Sequence, residues 1–91
     1  MNEFKVKDNT FRIKEMNAIE LLAFKSQINF DKFKSVVDLY SLVLENVEVK
    51  CGDKWLQVKD GNNYYPAGIE KDIKSIEGIL DNFLQYLKEV F

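Results

Sequence analysis

Val47-Glu48-Val49-Lys50-Cys51-Gly52-Asp53-Lys54-Trp55-Leu56-Gln57-Val58 is the stretch that decides the fold. Apolar and polar residues alternate on both sides of Gly52-Asp53. Successive strand side chains point to opposite faces, and glycine readily takes the positive φ that a two-residue turn needs, so the pattern predicts a β-hairpin. With that turn Val47, Val49, Leu56 and Val58 share one face, and Trp55 lies opposite Lys50 on the other. A hairpin that is apolar on one face asks for a covering layer.

The residues on either side supply that layer and more sheet. From Phe4 to Ile13 the alternation recurs around Asp8-Asn9, predicting a first hairpin in which Val6 faces Phe11 and Phe4 faces Ile13, with Glu3 and Lys14 paired at its open end. Asn17 followed by Glu20 reads as a capping-box-like helix start. The helix it opens runs to about Ile28, with Ala18, Leu21, Leu22, Phe24 and Ile28 on its apolar face and Lys25 near the middle of that face. Asn29-Phe30-Asp31 breaks the chain. Phe33, Val36, Val37, Tyr40, Val43, Leu44 and Val47 then recur at helical spacing, giving a second helix that ends near Asn46 and leaves Leu42 on the opposite side.

Residues 60–68, rich in Gly, Asn and Tyr and holding the single proline, read as an ordered loop. The last helix begins around residues 70–72 and carries Ile73, Ile76, Ile79, Leu80, Phe83, Leu84, Leu87 and Val90 on one stripe. Gly78 falls on its polar side, where it costs about 1 kcal/mol relative to Ala and forgoes no core contact. The predicted order is ββααββα: residues 1–91 form a single α+β domain, two hairpins making an antiparallel sheet packed by three helices.

The composition excludes most chemistry. There is no histidine, which removes the commonest general base near neutral pH and the commonest zinc ligand. One cysteine, Cys51, cannot form an intramolecular disulfide; it suits a reducing compartment and reads as an inert hairpin residue. Four glycines standing singly make no phosphate-binding loop. Glu70 and Asp72 fit the first turn of a helix, where its dipole favours carboxylates, and residues 60–63 lack the bidentate glutamate of a calcium loop. No metal, no cofactor and no catalytic residue is therefore expected. A net charge of −2 offers no general field for phosphates, so nucleic acid is a poor partner. The chain shows neither the apolar run of a signal peptide nor a membrane-spanning segment, and a cytoplasmic location follows as the expectation.

What remains is surface that could hold another protein. Trp55, Tyr64, Tyr65 and Pro66 gather large rings at a hairpin face and a loop; they read either as anchors for a partner or as a cap over a small core. Leu42, with Leu39 at the edge of the second helix's stripe, is either a contact or one of the lone exposed leucines that any surface carries. Phe91 ends the last stripe, to dock on a partner or to fray.

Three further runs bear on what that partner is: residues 13–22 (IKEMNAIELL), the hairpin VEVK and GDKWL followed by Val58, and Tyr65-Pro66-Ala67-Gly68-Ile69-Glu70 before a closing helix that ends in Val-Phe. Over most of its length the chain resembles the small tail assembly chaperones of long-tailed bacteriophages. The resemblance implies a non-enzymatic protein of the host bacterial cytoplasm, encoded by a phage or prophage. Such proteins coat the long tape measure protein, keep it soluble and recruit tail tube subunits without staying in the finished particle. Two other classes stay open: a small structural or completion protein of the tail or neck, and a small regulatory or inhibitor protein.

Overall fold

The structure, a computed structural model, describes residues 3–29 and 36–90. Its elements run β1 (Glu3–Val6), β2 (Asn9–Ile13), α1 (Ala18–Asn29), α2 (Val36–Glu45), β3 (Val47–Cys51), β4 (Lys54–Gln57), β5 (Lys59–Asp60), β6 (Asn63–Tyr64), a short 3-10 helix (Ile69–Lys71) and α3 (Ile73–Val90). Four strands form one antiparallel sheet in the order β1-β2-β3-β4, so the two hairpins join side by side through β2 and β3. The domain is α+β, with helices packed on one face of that sheet.

The β3–β4 hairpin has the register its alternation dictates. Val49 pairs with Leu56 and Lys50 with Trp55, and Gly52 takes φ +63° in the turn. Val47, Val49 and Val58 are fully buried on the inner face, and Leu56 packs against them.

The first hairpin departs from expectation. Its turn falls at Lys7-Asp8, one residue earlier than predicted, so Phe4 pairs with Phe11, Val6 with Asn9 and Glu3 with Arg12. Because the slip shifts the pairing by two residues, it leaves the same side chains on the inner face. Two observed contacts accompany this register: the Phe4 and Phe11 rings stack at 5.7 Å, and Lys7, at φ +55°, sends its ammonium to Asp72 at the start of α3. That second contact joins the turn to the start of the last helix and cannot be seen from local pattern.

Asn17 caps α1 as expected: its side-chain oxygen accepts the Glu20 amide at 2.9 Å. The helix buries Phe24, whose ring lies 5.2 Å from that of Phe83 on α3, and half-buries Leu21. Ala18 and Leu22, expected on the core face, are exposed instead. In α2, Val43 and Leu44 are buried, and the amide and side chain of Asn46 close the last turn by donating to Val43 O and Leu42 O. Leu42 is not on an outer face: it is half-buried and packed against the core. The expected contributions of Phe33, and of the Ile28, Val36 and Val37 side chains, lie outside the described residues.

Residues 60–68 hold more than a loop. A third, two-by-two hairpin pairs Lys59 with Tyr64 and Asp60 with Asn63, then a cis Tyr65-Pro66 bond leads into the 3-10 helix. It is tied to the main sheet through Val58, whose amide donates to Val47 O and whose carbonyl accepts the Tyr65 amide. Asp72 then caps α3, accepting the Ser75 amide at 3.2 Å and the Ser75 hydroxyl at 2.9 Å. From there Ser75, Ile79, Phe83 and Leu87 run down the buried ridge of α3, one helical turn apart.

Candidate interaction surfaces

Two surfaces of this domain are open, and their chemistry differs. The outer face of the sheet follows directly from strand alternation: Arg12, Glu48, Lys50, Trp55 and Gln57 stand opposite the buried valines. Arg12 Nε donates to Glu48 Oε1 at 2.8 Å, and its guanidinium lies 4.2 Å from the centre of the Trp55 ring. Lys14 Nζ donates to Gln57 Oε1, whose amide donates onward to Lys59 O at 2.7 Å. Arg12 with Glu48 and Lys14 with Gln57 satisfy one another across the strands, and Trp55 has one ring face already occupied by a cation.

The helical layer is left less complete. On α1, Ile19 is 79% and Leu22 62% exposed, while on α3 Ile73 is 73% exposed. Leu84, seven residues beyond Glu77 on the same side of α3, is also exposed. A groove of about 450 Å³ runs between α2 and α3, with Tyr40, Ile73, Ile76 and Leu80 as its apolar lining and Glu70, Glu77 and Asp81 at its rim. None of these three carboxylates is ion-paired among the described residues, whose salt bridges join Lys7 to Asp72, Arg12 to Glu48 and Lys59 to Glu45.

One carboxylate elsewhere is strongly perturbed. Asp72 sits well below the ordinary 3.8, at about 2, because the Lys7 ammonium and then the Ser75 hydroxyl and amide all bond to its ionised form. Those contacts hold the first hairpin to α3. They are a structural clasp.

The residues singled out by sequence are dispersed by the fold. Trp55 is half-buried on the outer sheet face, whereas Tyr64 is half-buried against the core on the third hairpin, and Tyr65 beside it is 36% exposed. Leu42, on α2, is half-buried against the core. The side chain of Leu39 and all of Phe91 lie outside the described residues. Trp55 and Leu42 therefore do not share a surface, since one is on the outside of the sheet and the other in the layer that covers its inside.

Sequence reasoning missed Ile19, and it assigned Leu22, Ile73 and Leu84 to covered stripes. A signal for the first two exists: α1 has apolar residues around its whole circumference, so one side had to stay uncovered by a single sheet.

Among the described residues no group of three or more Cys, Asp or Glu is placed to hold a metal ion, and no helix is long and apolar enough to cross a membrane. Comparison with known protein families, curated proteins and solved structures gives no match to this chain.

Proposed function

We propose that the domain is a non-enzymatic protein-binding module, acting as a tail assembly chaperone that holds a tape measure protein and brings tail tube subunits to it. The observation that carries the reading is the exposed apolar surface of the helical layer, Ile19 and Leu22 on α1 and Ile73 on α3, in a domain whose core is otherwise closed by fully buried Phe11, Ile79 and Phe83. Large side chains left out of a complete core are free to cover apolar stretches of another chain, while the charged sheet face keeps the complex in solution. The sequence runs at residues 13–22, 47–58 and 65–70 support the choice of tail assembly among protein-binding roles.

Coexpression tests this. A tape measure protein encoded beside this chain is expected to stay soluble and to copurify with it, and the mature particle is expected to lack it. Ile19→Asp with Leu22→Asp, both at exposed positions, is expected to abolish that capture while the circular dichroism spectrum is unchanged. Stable incorporation into particles would assign the protein to the virion instead, and solubility of the tape measure protein without it would refute the chaperone role.

A further inference from the structure

The groove between α2 and α3 combines two properties that together specify an occupant. Its floor is apolar: Ile73 and Leu80 stand seven residues apart on α3, with Tyr40 and Ile76 as the inner wall, and beyond the groove the exposed Leu84 continues the same line of α3 by a further turn. Positions seven and eleven apart make a straight seam on a helix, and eleven residues span about 16 Å, or three turns. That is the footprint of one amphipathic helix laid alongside α3.

Its rim is acidic. Glu70, Glu77 and Asp81 border the groove, and among the described residues no cation lines it and none of the three has an ion-pair partner. Glu77 and Asp81 are four residues apart on one helix, so in the free domain they repel each other. A cation placed between them would relieve that repulsion and gain two charge-assisted contacts. The same rim disfavours a second copy of this groove, which would set carboxylate against carboxylate.

We infer that this groove binds a basic amphipathic helix of a partner protein, about three turns long, with apolar side chains at heptad spacing on Ile73, Leu80 and Leu84 and Lys or Arg beside Glu77 and Asp81. The inference rests on the protein-binding reading above and narrows it to one surface and one partner chemistry.

Two synthetic helical peptides of roughly 14 residues serve as probes, one of leucine and lysine in amphipathic order and one with every lysine replaced by glutamate. The lysine peptide is expected to bind, more weakly as salt is raised, and to shift the amide resonances of residues 73–84 and Tyr40; the glutamate peptide is expected not to bind. Glu77→Lys with Asp81→Lys is expected to weaken the lysine peptide by about tenfold or more and to admit the glutamate peptide. Ile73→Asp, at a position too exposed to threaten the fold, is expected to abolish binding of the lysine peptide.

Equal binding of both peptides, resonance shifts confined to the outer sheet face, or indifference to both variants would overturn the inference. So would a dimer of the free protein that Ile73→Asp dissociates, since a second copy would then be the occupant. Capture of the tape measure protein that is lost through Ile19 and Leu22 but survives in the groove variants would sink the groove alone. A groove that binds the lysine peptide in a protein that captures no tape measure protein would sink the chaperone reading alone.

Discussion

Gly78 is the position where sequence and structure make opposite predictions, so a single substitution separates them. On the helical wheel of α3 it lies on the polar side, and replacing it by Ala should stabilise the helix by about 1 kcal/mol. In the folded protein β1 packs directly against it: a Cβ at Gly78 would sit 3.0 Å from Val6 Cγ1 and 3.1 Å from Val6 Cγ2. Carbon pairs are at their best near 3.5–4.0 Å, so both contacts are repulsive. Val6 cannot turn away, because rotation about its χ1 removes one γ-carbon from the crowded side and leaves or brings another. Overpacking of this kind costs roughly 1–3 kcal/mol, which cancels or exceeds the gain in helix propensity.

A double-mutant cycle isolates the contact. In the Val6→Ala background only the Val6 Cβ remains near the new methyl, at 3.7 Å, an ordinary contact. Gly78→Ala is then expected to stabilise by about 1 kcal/mol. In the wild-type background it is expected to be neutral or to destabilise by up to about 2 kcal/mol, giving a coupling of at least about 1 kcal/mol between the two sites. Urea unfolding of the four proteins measures it through the midpoint at constant m; in a domain of this size the difference also amounts to about 4–8 °C in Tm. If Gly78→Ala stabilises equally in both backgrounds, β1 does not lie against α3 as described, and the argument for a glycine there fails.

Two further outcomes can be measured on the same proteins. Asp72 has a folded pKa of about 2 against an ordinary 3.8, so its clasp stabilises the fold fully above about pH 4 and loses that contribution as pH falls through 2. Urea midpoints measured across that window should fall steeply for the wild type and more gently for Asp72→Asn, which starts lower at neutral pH; parallel curves would contradict the clasp. Trp55 is the single tryptophan, so Arg12→Ala should shift its fluorescence by removing the guanidinium 4.2 Å from its ring, while stability changes by less than about 1 kcal/mol because the ion pair with Glu48 is partly solvated. An unaltered emission spectrum from the folded variant would place the guanidinium elsewhere.

What the sequence made legible was whatever depends on neighbours along the chain. The β3–β4 register, the Asn17 cap and the α+β class with its antiparallel sheet all rest on alternation or on a cap within one turn. What stayed hidden depends on contacts between distant segments. The first hairpin's turn lies one residue from its expected place, with Lys7 reaching across 65 positions to Asp72. Gly78 looked free because Val6, 72 residues earlier, is invisible to a helical wheel. The small hairpin at Lys59 to Tyr64 escaped because two-residue strands are too short to show a period. The candidate binding residues fared similarly: alternation and loop composition place the Trp55 and Tyr64 rings, and helical spacing puts Leu42 on an outer face, whereas the fold sets Trp55 on the outer sheet face and packs Tyr64 and Leu42 against the core.

The errors on α1 and α3 share one physical origin, and it bears on function. An apolar stripe tells which side of a helix can be buried, whereas the sheet decides how much of that side is covered. On α3 the buried ridge is Ser75, Ile79, Phe83 and Leu87, and it includes a serine, while the apolar line Ile73, Leu80 and Leu84 lies to one side of it. The helix is therefore rotated so that part of its apolar surface faces away from the core, although turning Ile73 and Leu84 inward would bury more of it. The Asp72 cap helps fix that rotation, because it ties the first turn of α3 to Lys7 and Ser75, and the Gly78 approach to Val6 fixes the next. Stability alone gives no reason to leave Ile73 and Leu84 outside the core, and the partner helix proposed above would supply one.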